Sequence, residues 1–167
     1  AEKNGLIEKI EEKNTIHEQT FNFSLPDLNK WQKKALDEIK TGFEEEKVCL
    51  LHGITSSGKT LIYLRLIKEV ISEGKQVLFL LPEIALTTQI IERLRKLTGT
   101  DIEVFHSRSS GKSRLRLWEN VKSGKKKMVV GARSAVFLPF KEPGLIVIDE
   151  EHDYSFKQTE PAPRYNA

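Results

Sequence analysis

Gly53-Ile54-Thr55-Ser56-Ser57-Gly58-Lys59-Thr60 has the residue types and the spacing of a phosphate-binding loop, G-x-x-x-x-G-K-[ST]. Gly53 and Gly58 free the backbone to curl, so that successive N–H groups, those of Thr55, Ser56 and Ser57 among them, turn inward toward phosphate oxygens. Lys59 is placed to reach the β- and γ-phosphates, and the Thr60 hydroxyl is a hard oxygen ligand for magnesium. The helix expected to start here adds its positive dipole end to the same anion.

Further along, Leu145-Ile146-Val147-Ile148 runs straight into Asp149-Glu150-Glu151-His152. An apolar strand ending in acids complements a phosphate loop. Asp149 can hold the magnesium beside Thr60, and Glu150 can orient and deprotonate a water for in-line attack on a γ-phosphate. With a base available, nucleotide hydrolysis is the stronger expectation than nucleotide storage.

These groups need elements to position them. Val48-Cys49-Leu50-Leu51 reads as a buried strand before the loop. Tyr63, Leu66, Ile67 and Val70 recur at helical spacing after it, with Gly74 placed to end that helix. Further strands are expected at 77–81, 102–105, 128–130 and 145–148, with helices between them through 87–97 and 110–121. Before the loop, Asn29 is a good helix N-cap with Gln32 three residues on, and Trp31, Ala35, Ile39 and Phe43 are expected to share one face. Gln32 has two readings, closing a capping box or holding an adenine edge, and spacing alone favours the first.

Strands alternating with helices imply an α/β fold with a mostly parallel, doubly wound sheet and helices on both faces. Ligands in such sheets sit outside the carboxyl ends of the strands. The loop, Pro82-Glu83, His106-Ser107, Gly131 to Ser134 and Asp149 to His152 all fall at such ends. Residues 1–27 read as a polar linker or leading arm. Two charged stretches, Arg93-Arg95-Lys96 and Lys125-Lys126-Lys127, read as solvated surface rather than phosphate contacts.

The bulk properties narrow the class. The 167 residues are 38% hydrophobic and 31% charged, with a net charge of +3, which suits a globular domain and is too mild to identify a nucleic-acid partner by itself. One cysteine, Cys49, excludes an internal disulfide and a multi-cysteine zinc site. No apolar run has the length of a membrane span and no signal peptide is visible, so a cytoplasmic protein is expected.

Asp149-Glu150-Glu151-His152 resembles the Asp-Glu-Ala-His box of superfamily 2 helicases. Pro82 to Thr87, Phe105-His106-Ser107, Gly131 to Phe137, Asp149 to Asp153, Tyr154 to Gln158 and Arg164-Tyr165 follow in an order similar to the PriA family of primosomal replication-restart helicases. The resemblance covers about residues 28–167 and implies a first RecA-like P-loop motor domain. It implies ATP-driven 3′-to-5′ movement on single-stranded and forked DNA, with ATP and Mg2+ as cofactors and no zinc in this chain. The single-strand-binding protein and other primosome proteins become its partners, and no membrane is involved.

By resemblance, Gln32 serves the adenine. Thr87, His106, Arg133 and Ser134 lie along the DNA track or couple to it, and His152 links the ATP site to DNA contacts. The tail with Tyr154, Phe156, Lys157, Arg164 and Tyr165 becomes a loop that senses DNA, where composition alone leaves base stacking and loop anchoring equally open. Ser56 stands where a glycine is frequent, and Ala132 where a threonine is frequent. The resemblance also implies an arginine finger from a second motor domain and a strand carrying a Ser-Ala-Thr motif between the loop strand and the acidic strand. Neither is in this sequence, so it reads as a fragment with a gap in its sheet.

Other readings stand beside this one. A GTPase would need an Asn-Lys-x-Asp motif, and Asn29-Lys30-Trp31-Gln32 lacks the aspartate. A small-molecule kinase, a nucleotide-regulated DNA- or partner-binding module, and a translocase that moves on duplex without separating it are the remaining classes.

Overall fold

Residues 77–80 are apolar without interruption and lie in a strand buried on both faces, which places that strand inside a sheet rather than at its rim. The computed structural model describes residues 19–45, 48–54, 57–105 and 110–157. In chain order these form α1 (Lys30–Glu45), α2 (Lys59–Ser72), β1 (Gln76–Leu80), α3 (Thr88–Thr98), β2 (Val104–Phe105), α4 (Gly111–Lys122), β3 (Met128–Gly131) and β4 (Pro143–Ile148). The strands lie in the order β2-β3-β1-β4, and every pairing is parallel. This is the parallel, doubly wound α/β arrangement that the alternation of elements implies.

The two-residue period of β1 divides the core. Val77 and Phe79 join Tyr63, Leu64 and Ile67 of α2 and Ile91 and Leu94 of α3 on one face. Leu78 and Leu80 join Leu117 and Val121 of α4 with Phe105 and Phe156 on the other. A third cluster, Ile39, Ile62 and Leu66, clamps α1 to α2. Local chemistry sets the helix starts. Thr87 accepts from the Ile90 amide at 3.4 Å and Ser110 from the Ser113 amide at 3.3 Å, each satisfying an otherwise orphan donor.

Three expectations are corrected here. Residues 48–51 are extended but belong to no strand. β4 is hydrogen-bonded on one side only, to β1, and 48–51 finds no ladder partner among the described residues. The segment keeps a two-residue alternation. Cys49 and Leu51 pack against the α1–α2 cluster, while Val48 and Leu50 are 85% and 74% exposed. Trp31 is not on the packed face of α1. It is 67% exposed under the Lys30 ammonium, and Ala35, Leu36 and Ile39 make the contact instead. The leading arm is only partly an arm: residues 1–18 lie outside the described residues, whereas Phe21, Phe23 and Leu25 pack onto the core. Amides of Asn22 and Ser24 donate to the carbonyls of Thr98 and Leu97 at 2.9 Å each, tacking this segment onto the end of α3.

Arg93, Arg95 and Lys96 are exposed, whereas Lys126 and Lys127 are half-buried and tied to the protein. Arg95 pairs with Asp101 at 3.0 Å, Lys126 with Glu103 at 3.3 Å, and the Lys127 ammonium donates to the Gly74 carbonyl at 2.6 Å.

Candidate functional site

Because all the strands are parallel, their carboxyl ends open on one edge. Pro82-Glu83, Gly131 to Ser134 and Asp149 to His152 meet there. The phosphate loop reaches α2 through Gly58, whose φ of 86° lies in the left-handed region. A side chain there would be strained, and its Cβ would also collide with the Gln32 amide.

Gln32 itself performs the capping role and touches the loop. Its Oε1 accepts from the Asn29 amide at 3.0 Å, while Asn29 Oδ1 accepts from the amides of Trp31 and Gln32 at 2.9 Å. That is a reciprocal capping box. Its Nε2 donates to the Ser57 carbonyl at 3.4 Å. The start of α1 is thereby fastened to the loop.

Lys59 is folded back over the loop. Its ammonium donates to the Gly53 carbonyl at 2.6 Å and the Ile54 carbonyl at 3.3 Å. Thr60 follows in the first turn of α2, half-buried. Thr55 and Ser56 lie outside the described residues.

Across the edge, the Asp149 amide donates to the Leu80 carbonyl at 3.0 Å, which carries the β4 register one residue past the strand. Burial, then the neighbouring Glu150 charge, push the Asp149 carboxyl above the usual carboxylate range, against the Lys59 ammonium and two hydrogen bonds that favour ionisation. One of those bonds comes from Tyr63, whose hydroxyl donates to Asp149 Oδ1 at 3.4 Å. Tyr63 was legible in the sequence only as an apolar position of α2. Its place one helical turn after Lys59 was the available signal, since residues four apart share a face.

Glu150 is the sole non-glycine residue with positive φ among the described residues, at 54°. A left-handed glutamate costs roughly 1–2 kcal/mol relative to ordinary backbone. The turn that imposes it is closed by the Asp153 amide donating to the Glu150 carbonyl at 2.9 Å. Asp153 then accepts from the Ser155 amide at 2.8 Å, and Ser155, through its side chain first and its amide second, holds the carboxyl below the usual range. His152 lies 3.7 Å from Glu150 and 3.9 Å from Glu151, largely exposed. No cluster of three or more acidic, histidine or cysteine side chains among the described residues makes a self-sufficient metal site. Thr60 and Asp149 supply two hard oxygen donors, a set that fits magnesium, which keeps waters and phosphate oxygens in its shell.

The residues expected along a DNA track divide. Thr87 is exposed and also caps α3. Arg133 and Ser134 stand half-buried in the short turn after β3. Tyr154 is 84% exposed, and Lys157 is exposed as well. Phe156 corrects the expectation of a DNA contact: it is 2% exposed in the second core cluster and offers no face to a base. It anchors the turn that presents Tyr154. His106, Arg164 and Tyr165 lie outside the described residues.

The family model described as DEAD/DEAH box helicase matches residues 29–165. Replication restart protein PriA of Rickettsia conorii is 48% identical over 137 residues, covering 82% of this chain and 21% of the relative. That of Bacillus subtilis is 44% identical over 138 residues, covering 81% and 17%. That of Synechocystis is 40% identical over 170 residues, covering 99% and 20%. The chain thus spans about a fifth of the length of these relatives. Among solved structures, the crystal structure of DUF1998 helicase MrfA bound to DNA and AMPPNP aligns with a TM-score of 0.53 at 20% identity, over 83% of this chain and 23% of that one. That likeness speaks for the fold. No helix among the described residues is long and apolar enough to cross a membrane.

Proposed function

The chain belongs to the DEAD/DEAH box helicase family, and on that premise we propose that it is the ATP-binding first motor domain of a replication-restart helicase of the PriA type. The observation that carries the proposal is the meeting of two distant segments at one sheet edge: the Lys59 loop and the Asp149-Glu150 turn, joined through the Tyr63 hydrogen bond. In this reading the loop 53–58 and the start of α2 bind the phosphates. Lys59 leaves its own loop carbonyls for the β- and γ-phosphate oxygens, and Gln32 reads the adenine. Thr60 and Asp149 would hold magnesium, which would supply neutralisation of the phosphate charge. Glu150 takes the proton of the attacking water, its carboxylate presented by the left-handed turn.

Hydrolysis drives 3′-to-5′ movement on single-stranded DNA and opens forked DNA during replication restart, in the cytoplasm, with the single-strand-binding protein and primosome proteins as partners. Thr87, His106, Arg133, Ser134, Tyr154, Lys157, Arg164 and Tyr165 form the DNA side, and His152, beside Glu150, couples the two. A second motor domain supplies the arginine finger, worth about 10³–10⁵ in rate in related phosphoryl-transfer sites. The strand carrying the Ser-Ala-Thr motif, which the resemblance places between the loop strand and the acidic strand of this same sheet, fills the side of β4 that has no partner among the described residues, where Ile146 is 53% exposed. The test is ATP turnover by the full-length protein with and without single-stranded DNA, alongside strand displacement on forked substrates. DNA-stimulated turnover with displacement is expected. Magnesium-dependent ATP binding without turnover would favour a nucleotide-regulated binding module.

A further inference from the structure

Tyr63 belongs to two structures at once. Its ring is part of the core, 8% exposed and edge-on to Phe79 with centroids 6.0 Å apart. Its hydroxyl reaches out of that core to Asp149 Oδ1 at 3.4 Å, and a buried phenol normally secures such a partner. A phenol has one hydrogen to give and a carboxylate only accepts, so the hydroxyl acts at this acid as a donor. Since Tyr63 follows Lys59 by one helical turn, a single rigid segment of α2 carries both the ammonium of the phosphate loop and the hydroxyl that addresses the acid.

We infer that Tyr63 is a positioning residue that holds the Asp149 carboxylate in one rotamer and ties it to the phosphate loop. The inference deepens the nucleotide-site reading above and rests on it. One oxygen of Asp149 is occupied by the phenol, which leaves the other for the magnesium shell. Without the hydroxyl, a half-buried carboxylate loses a stabilising donor and its fixed orientation, while the loop that binds phosphate keeps all its groups. The signature is therefore selective: weaker use of magnesium with unchanged grip on the nucleotide itself.

The experiment titrates Mg2+ against binding of a fluorescent ATP analogue by the full-length protein, for the native sequence, Tyr63→Phe and Tyr63→Leu. Tyr63→Phe keeps the ring against Phe79, so its unfolding midpoint and its magnesium-free affinity should match the native protein. The magnesium concentration for half-maximal binding should rise about fivefold, the equivalent of one net hydrogen bond. Tyr63→Leu should show the same magnesium shift together with a lowered midpoint, which separates packing from positioning. An unchanged magnesium requirement in Tyr63→Phe overturns the inference and leaves the nucleotide site standing. Equal losses with and without magnesium also overturn it, because they place the effect on the loop rather than on Asp149. A native protein with no magnesium-dependent binding overturns the nucleotide-site reading, and this inference with it.

Discussion

The two ends of the same parallel strands are built on opposite terms. At the amino ends, Gln76 is 1% exposed and fully partnered. Its amide donates to the carbonyls of Val121 and Lys126 at 3.0 and 2.7 Å, and its oxygen accepts from the amides of Lys141 and Glu142 at 2.8 and 3.1 Å. One side chain thus fixes the entries to three neighbouring strands, and Gln19 adds its oxygen to the amides of Lys127 and Met128 at 3.0 Å each. At the carboxyl ends, Lys59 bonds its own loop, Asp149 is held above its usual pKa, Glu150 sits at a left-handed φ, and Ile84 and Tyr154 are 83% and 84% exposed. The first end spends its polar groups on register. The second gathers the polar groups that the proposed nucleotide site would use. Stability and chemistry are separated along a strand of only five residues.

The separation can be broken or sharpened by substitution. The largest effect belongs to Phe156, which is core although it lies in the turn next to the acids. Phe156→Ala should destabilise by about 3–5 kcal/mol in urea unfolding. Its neighbour Tyr154→Ala should leave the unfolding midpoint where it is and weaken single-stranded DNA binding by about 1–3 kcal/mol, the worth of one stacked base. If Tyr154→Ala lowers stability as Phe156→Ala does, the turn is an anchor throughout.

Next is the amino end. Gln76→Leu removes partners from two part-buried amides and two carbonyls, and about 3 kcal/mol of destabilisation is expected from such orphaned groups. Nucleotide affinity of the folded protein should not move. A change in affinity at matched folded fraction would break the division between the two ends.

The smallest effect has the opposite sign. Glu150→Gly relieves roughly 1–2 kcal/mol of left-handed strain and gives back roughly 0.5–1 kcal/mol in chain entropy. Thermal unfolding should show a gain of up to about 1.5 kcal/mol with turnover lost. A loss of stability would mean that the glutamate side chain contributes to the fold.

What the sequence disclosed follows the same line. The phosphate loop, the acidic strand end and the double-wound sheet were legible because each is written in residues adjacent in the chain. The Asn29–Gln32 box was legible because a helix brings residues three apart together. Tyr63 was not, because its partner is 86 residues away and a tyrosine at an apolar position counts as core. The apolar run 48–51 suggested a strand, but a strand requires a neighbour, and the composition of a segment does not say whether one is there. Tyr154 and Phe156 are equivalent in composition. Only the direction of a three-residue turn sends one to solvent and the other to the core.

The central claim, that the open edge carries the proposed chemistry and that the Glu150 side chain serves it without holding the fold, is tested most directly by Glu150→Gln in the full-length protein. ATP turnover with and without single-stranded DNA would be measured beside the unfolding midpoint. The account expects DNA-stimulated turnover in the native protein, a fall of about 10²–10⁴ in the variant, and no loss in midpoint. Turnover retained in the variant, or lost only together with stability, would contradict it.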